Sequence, residues 1–297
     1  MTDPSNIYSN ELDCFKAELS EKDFSAFSSF IFNEFGIKMP PVKRVMLQGR
    51  LLKRIRQLNM KSYSEYKDYL FSAEGQKEEI FNFLNVVTTN KTDFFREPVH
   101  FDFLKNDVLP MFTERGTRET FKIWSAGCSS GEELYTIAMT LNEHKRENAG
   151  FTYKMLGTDI SQNVLSKAAK GIYASNKVDI VPLELKKRYL LKSKDKENPT
   201  VKVRPELQSN LNLKYLNLMD SNYANINELF DVIFCRNVLI YFDRDTQESV
   251  INKLITHLKP GGIFFIGHSE SLTGMDVPLE HIKPTIFRKK QSTKLQP

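Results

Sequence analysis

From Phe121 to Gly267 short apolar runs alternate with stretches of helical period, and this alternation restricts the possible folds more than any other feature. Phe121-Lys-Ile-Trp-Ser-Ala126, Tyr153 to Thr158, Leu229-Phe-Asp-Val-Ile-Phe-Cys235 and Ile263-Phe-Phe-Ile-Gly267 have strand length. Helical stretches follow to about Arg146, from Ser161 to Lys170 and from Thr246 to Leu258. Strands that return through helices lie parallel, so the pattern predicts an α/β fold with a doubly wound parallel sheet. Residues 173–212 fit the alternation poorly. Their charged run, Lys192 to Asn198, stands beside Val201-Lys-Val203 and predicts a small inserted β-subdomain.

The first ninety residues carry no strand signal. Phe24, Phe27, Ile31 and Phe35 recur at helical spacing before a stop at Gly36. Pro40-Pro41 can open a second helix with Val45, Leu51, Leu52, Ile55 and Leu58 on its buried side. Ser62 with Glu65 is a capping-box pattern ahead of Tyr66, Tyr69 and Leu70, and Ile80, Phe83, Leu84 and Val87 mark a fourth segment. The expected organisation is a helical domain at 1–90, an α/β domain at 91–290 with its insertion at about 173–212, and a tail at 291–297.

Composition excludes several classes. Of the 297 residues 40% are hydrophobic and 27% charged, which suits a chain with a real core. Met1 to Cys14 lacks the apolar run of a secretory signal, and nothing approaches the roughly 18 apolar residues of a membrane span. Cys14, Cys128 and Cys235 lie far apart without a CxxC pair, so a reducing cytoplasm is expected. His100, His144, His257, His268 and His281 lack ligand spacing, and no metal is expected. The net charge is +5, concentrated between Phe35 and Ser64. Lys38, Lys43, Arg44, Arg50, Lys53, Arg54, Arg56 and Lys61 occur there without a single Asp or Glu. A field of one sign attracts an acidic partner.

Chemistry concentrates in Trp124-Ser-Ala-Gly-Cys-Ser-Ser-Gly-Glu-Glu133. Ligands of doubly wound sheets bind beyond the carboxyl ends of the strands. Gly127 and Gly131 allow a sharp turn and close approach, as in any tight strand-to-helix turn. Glu132 and Glu133 at the helix start would repel a phosphate, although an acid there also suits the helix dipole. A phosphate-free, positively charged ligand such as S-adenosylmethionine is compatible, and no GxxxxGK[ST] sequence points to a triphosphatase. Asp159 ends the second strand, where it can accept both ribose hydroxyls or cap the helix at Ser161. Lys259-Pro-Gly-Gly262 is similar to the late turn of class I methyltransferases, and to any helix-to-strand turn.

Four segments in matching order make a closer resemblance. Asn90-Lys-Thr-Asp-Phe-Phe-Arg-Glu97, Trp124-Ser-Ala-Gly with Ser-Gly-Glu-Glu133, Phe234-Cys-Arg-Asn-Val-Leu-Ile-Tyr-Phe-Asp243 and Gly267-His-Ser-Glu270 resemble the chemotaxis receptor glutamate methyltransferases, the CheR family, from about residue 20 to 289. The resemblance implies a class I S-adenosylmethionine-dependent methyltransferase fold. It also implies transfer of a methyl group to glutamates in the cytoplasmic domain of methyl-accepting chemotaxis receptors, with S-adenosylhomocysteine as product. Asn90, Thr92 and Arg96 would meet the cofactor from the segment joining the domains. Glu133 would face its methionine moiety, Asp159 its ribose, Asn217 and Leu218 its adenine, with Arg236 and Asn237 beneath. Helix capping is the alternative for Asn90 and Thr92, and an ordinary strand-end turn for Arg236-Asn237. Phe94 and Phe95 are expected to pack.

A glutamate carboxylate is already ionised near pH 7, so little acid–base machinery is needed. Arg96, whose planar fork grips carboxylates, and Tyr241 are the candidate catalytic residues, with a core position as the alternative for Tyr241. The helical domain would dock acidic receptor helices. Lys43, Arg50, Arg54 and Lys61 recur on one side of a helix, and Lys53 adds to the same charge. Family members tethered to a receptor's C-terminal pentapeptide carry a glycine-rich turn in the insertion. Lys192-Ser-Lys-Asp-Lys-Glu-Asn198 has no glycine, which argues against tethering. A nucleic-acid methyltransferase is disfavoured because Cys235-Arg-Asn-Val238 replaces the Asn/Asp-Pro-Pro-aromatic motif of base methylation. A non-catalytic sensor of the cofactor, or a methyltransferase with another substrate, is the remaining alternative.

Overall fold

A computed structural model describes residues 18–116 and 119–291. The polar start, Met1 to Cys14, and residues 292–297 of the expected tail lie outside the described residues. Two compact units divide the chain, Met1–Thr89 and Asn90–Pro297.

The first unit is helical. Ser20 caps the helix Glu21–Phe35 by accepting the Asp23 N–H at 3.0 Å, and Gly36, at φ 68°, ends it by donating to Phe32 O at 2.8 Å. Pro41 opens a short 3-10 turn, Pro41–Lys43, that runs into the helix Arg44–Gln57. That helix buries Leu47, Leu51 and Ile55. Val45 stands about 200° round the helix from Leu47 and is 75% exposed, which corrects its expected place in the core. Leu52 and Leu58 are only half buried. Ser62 accepts the Glu65 N–H at 3.1 Å, but the Glu65 carboxylate turns to the N–H of Lys61 at 2.7 Å, so the capping box closes one residue early. Helices Tyr63–Phe71, Ala73–Glu78 and Ile80–Val87 complete the unit. Phe27 and Phe83, both fully buried, stack at 5.9 Å with Tyr66 beside them. Each such ring contributes about 1.5–3 kcal/mol by its burial.

The second unit carries strands β1 (Phe121–Ala126), β2 (Tyr153–Asp159), β3 (Ile172–Ala174), β4 (Leu190–Lys192), β5 (Thr200–Val203), β6 (Leu211–Tyr215), β7 (Phe230–Cys235), β8 (Leu258–Ile266), β9 (Leu279–Lys283) and β10 (Ile286–Lys289). Among the described residues the main sheet has the order β6-β2-β1-β7-β8-β10-β9. The first five are parallel, while β10 runs antiparallel to both neighbours. The sheet is therefore mixed at one edge, because β9 and β10 form a hairpin with no crossover helix between them. The helix Glu132–Glu147 joins β1 to β2, and β7 then pairs on the other flank of β1. The strand order reverses between β1 and β7, and their carboxyl ends frame a crevice. Strands β3, β5 and β4 form a separate antiparallel sheet, and β6 already belongs to the main one. Among the described residues no helix is long and apolar enough to cross a membrane.

Candidate functional site

The site begins where β1 runs out of apolar residues. Gly127 and Gly131 take φ of 81° and 94°, and Ser129 between them takes 50°. A side chain at Gly127 would collide with Val238 Cγ2, and one at Gly131 would come within 2.8 Å of Ala168 Cβ. These glycines let the loop lie flat against its neighbours. The N–H groups of Gly127 and Cys128 both donate to Thr158 O, and Ser129 N donates to Asp159 Oδ2 at 2.9 Å. Ser161 N donates to Oδ1 of the same carboxylate at 2.9 Å. Ser161, not Asp159, caps the helix Gln162–Lys170. Asp159 is buried, which pushes its carboxyl above the ordinary aspartate value against those N–H donors. Each oxygen keeps a lone pair that a hydroxyl can use.

Glu133 faces the crevice from the first turn of its helix. It accepts from Ser125 Oγ at 2.7 Å and from Arg236 Nη1 at 3.1 Å. Burial pushes its carboxyl up, opposed by Arg236 and Ser125. Arg236, its side chain 1% exposed, reaches back from the end of β7. It joins Glu133 to Glu97, which accepts from Nη2 at 3.0 Å, and rests on the rings of Phe101 and Phe234 at 5.3 and 5.9 Å. Its Nε is buried without a hydrogen-bond partner. Glu97 also accepts from Asn237 Nδ2 and His268 N at 3.3 Å each. Burial raises the Glu97 carboxyl, but Arg236 and these donors outweigh it and hold the group below the usual value. Glu270 gathers the backbone N–H groups of Gly267, Asn237 and Leu239. Phe95, Glu97, Ser129 and Asn237 all have φ between 50° and 59°, so this crevice concentrates backbone strain.

The expected site residues divide into two groups. Glu133, Asp159, Arg236 and Asn237 converge at the β1–β7 crevice, and Asn90 O accepts from Ser129 Oγ at 3.0 Å. Arg96 places Nη1 on Lys91 O at 3.1 Å, and its other N–H groups have no partner among the described residues. Thr92 offers its carbonyl to Lys177 at 3.3 Å, while Asn217 Oδ1 accepts from Met219 N and Leu218 is buried. These contacts do not themselves join Thr92, Asn217 or Leu218 to the crevice. Tyr241, on a 3-10 turn, is half exposed rather than part of the core. Phe94 and Phe95 pack, against Tyr173 and Phe101. Burial pushes the thiols of Cys128 and Cys235 well up, which leaves them inert. Glu97, His100 and Glu270 had no assigned role. The only sequence signal of Glu97 and Glu270 was membership of the quoted segments at 90–97 and 267–270, and His100 lies outside both.

In the helical unit the basic run is partly neutralised. Arg54 forms a two-pronged pair with Glu79 at 2.6 Å, and Arg50 Nη1 donates to Val87 O at 2.6 Å. Lys61 lies beyond the end of the helix at Gln57, so the expected one-sided stripe does not continue to it. Lys43 lies in the preceding turn, half exposed. Lys53 is exposed and has no partner among the described residues.

Residues 90–287 match the family description "CheR methyltransferase, SAM binding domain", and residues 22–88 match "CheR methyltransferase, all-alpha domain". The chain is similar to the chemotaxis protein methyltransferase of Borreliella burgdorferi, 38% identical over 275 residues that cover 91% of this chain and 95% of the relative. The Klebsiella aerogenes chemotaxis protein methyltransferase is 37% identical, covering 86% and 85% of the two chains. That of Escherichia coli is 36% identical, covering 87% of each.

Proposed function

Because the chain belongs to the CheR methyltransferase family, we propose that it transfers a methyl group from S-adenosylmethionine to glutamate side chains of methyl-accepting chemotaxis receptors, leaving glutamate methyl esters and S-adenosylhomocysteine. The observation that carries this reading is the charge of the crevice. Glu97 and Glu133 hold a single buried guanidinium, Arg236, between them, and a third acid, Asp159, stands at the end of β2 against the loop that follows β1. Such a pocket repels phosphate and suits a cationic, phosphate-free ligand. The flat loop at Gly127 and the spare lone pairs of Asp159 fit a ribose at the end of β2.

When bound, S-adenosylmethionine supplies a methyl group on a sulfonium, which an ionised carboxylate can attack without a base. Glu133 faces the methionine moiety, Asp159 holds the ribose, and Arg236 with Asn237 forms the floor. Asn90 and Thr92 close the pocket from the joining segment, and Asn217 with Leu218 borders the adenine. Arg96 grips a carboxylate with its unpartnered N–H groups. Tyr241 lines the path of the incoming glutamate. Orientation and partial removal of water from that carboxylate supply several kcal/mol of the acceleration.

The exposed part of the basic run, Lys53 and Lys43, attracts the acidic receptor helices. Arg50 and Arg54 shape that surface through their internal bonds. The loop between β4 and β5 carries no glycine, so docking proceeds without a pentapeptide tether. Action on the receptors' cytoplasmic domains places the protein in the cytoplasm. Incubation with methyl-labelled S-adenosylmethionine and receptor cytoplasmic fragments tests the whole reading. Base-labile label on receptor glutamates is expected. Tight cofactor binding without transfer would instead make the protein a sensor.

A further inference from the structure

The group of side chains behind Arg236 has a second capacity. Glu97 Oε2 lies 3.6 Å from His100 Nδ1 and 3.9 Å from His268 Nε2, and the three atoms all lie within 4.8 Å of one another. We propose that Glu97, His100 and His268 bind one divalent ion of the zinc class, and that this ion competes with Arg236 for Glu97.

The distances are close to those a metal requires. A tetrahedral ion with bonds of about 2.0–2.2 Å holds its ligands about 3.4 Å apart. Both distances from Glu97 are within a few tenths of an ångström of that. His268, 53% exposed on the loop after β8, is the side chain able to close the remaining gap. Two imidazoles and one carboxylate suit zinc, cobalt, nickel or copper better than magnesium or calcium.

The surroundings of His100 support the same assignment. Its Nε2 lies 2.7 Å from Thr285 Oγ1, while its Nδ1, on a fully buried ring, has no hydrogen-bond partner and lies 3.6 Å from the Glu97 carboxylate. In the tautomer that donates from Nε2 to Thr285, Nδ1 offers its lone pair toward that carboxylate, and a cation between the two removes their repulsion. A metal-ligating histidine characteristically anchors its other N–H on an oxygen, the position that Thr285 occupies.

Competition follows from the shared atom. Glu97 Oε2 also accepts from Arg236 Nη2. A cation beside that oxygen repels the guanidinium and loosens the floor of the crevice. This second part rests on the proposed cofactor pocket, whereas metal binding does not. Zinc chloride titrated into the full chain by calorimetry should show one ion bound per chain. His268→Ala, at an exposed position that the fold tolerates, should weaken binding on the order of 10-fold or more. His281→Ala, removing an exposed imidazole from β9, should leave it unchanged. Saturating zinc should weaken S-adenosylhomocysteine binding about five-fold or more in the unsubstituted protein and not in His268→Ala. Absence of zinc uptake, or equal uptake by His268→Ala, overturns the site. Uptake with unchanged S-adenosylhomocysteine affinity overturns the competition. Failure to bind S-adenosylhomocysteine even without zinc would count against the cofactor pocket and leave the metal site to the zinc titration alone.

Discussion

Each unit contains a buried arginine–carboxylate group, and the two are built to different ends. In the helical unit Glu79 accepts both prongs of Arg54, the Tyr66 hydroxyl at 2.9 Å and Asn82 Nδ2 at 3.2 Å. No atom of that group is among the buried polar atoms without a partner. In the α/β unit Arg236 bridges Glu97 and Glu133 but leaves its own Nε unpaired, and the neighbouring His100 Nδ1 is unpaired too. Five of the described non-glycine residues in left-handed conformations belong to this unit, Phe95, Glu97, Asn237 and Thr285 around the group and Ser129 in the loop after β1, against Asn59 alone in the other. Saturated hydrogen bonding over relaxed backbone marks a scaffold. Unmet polar atoms over strained backbone mark a place that other molecules complete.

The comparison is tested hardest by removing Arg54. Arg54→Ala leaves a carboxylate buried among aromatic rings, and breaking a buried pair typically costs about 3–5 kcal/mol. The low end is expected because Arg54 is about a fifth exposed. Urea unfolding followed by circular dichroism should show that loss, with S-adenosylhomocysteine affinity retained. A loss below about 1 kcal/mol would put Glu79 in the class of surface pairs and remove one side of the contrast.

The next effect belongs to the strained loop. Gly127→Ala must carry a Cβ at φ 81° against Val238 Cγ2. Strain of about 1–3 kcal/mol is expected, expressed as roughly a 10-fold loss of cofactor affinity more than as lost stability. Calorimetric titration alongside thermal unfolding separates the two. Unchanged affinity would mean that the loop does not approach the ligand.

What the sequence disclosed follows physical lines. Strands β1, β2, β7 and β8 were legible because each ends in a run buried on both faces and largely apolar, such as residues 232–235 in β7 and 263–266 in β8. Strand β6 is a half-buried edge strand, Leu-Asn-Leu-Lys-Tyr, and β9 and β10 are short and charged, so their periodicity is weak. Glu133 and Asp159 could be identified because a glycine loop and a strand end fix where an acid must point. Glu97, His268 and Glu270 could not, since they reach Arg236 and Asn237 only through tertiary folding of distant segments. The absence of acids from 35–64 misled for the same reason. Glu79 reaches Arg54 from a later helix, and local composition does not report on it.

Acid acts on both units, through carboxyls displaced in both directions. The Asp23 carboxyl is raised by burial, but Lys67, Ser20 and Ser64 outweigh this and hold it below its ordinary value. A depressed carboxyl stabilises the fold above its unfolded pKa of about 4, and that stability is lost as pH falls through the folded value. Glu133, Asp159 and Glu270 are displaced upward by burial. Their contribution has the opposite sign, being present when they are protonated and lost as pH rises through their folded values. Glu97, Glu143 and Glu228 are depressed like Asp23, so acid also removes stability from the α/β unit, where Glu133, Asp159 and Glu270 act against that loss. Binding of S-adenosylmethionine should already have weakened several-fold at pH values above the ordinary carboxylate range of about 4, because its positive charges need Glu133 and Asp159 ionised. Glu133→Gln should flatten that profile, and a titration midpoint at an ordinary glutamate value would remove the argument from burial.

The smallest effect lies on the surface, where charge acts on encounter rather than on fold. Lys53 is exposed and without a partner among the described residues, so Lys53→Glu should change stability by less than about 0.5 kcal/mol and leave cofactor affinity unaltered. An acidic partner steered by this surface would be methylated a few-fold more slowly at low salt, and the difference should fade as the Debye length shortens to about 8 Å near 0.15 M. Initial rates with receptor fragments at two ionic strengths measure both features. A rate deficit that persisted at high salt would point to a specific contact in place of a field. No deficit at either salt would mean that the basic run serves only the internal bonds of Arg50 and Arg54, making the helical unit scaffold throughout.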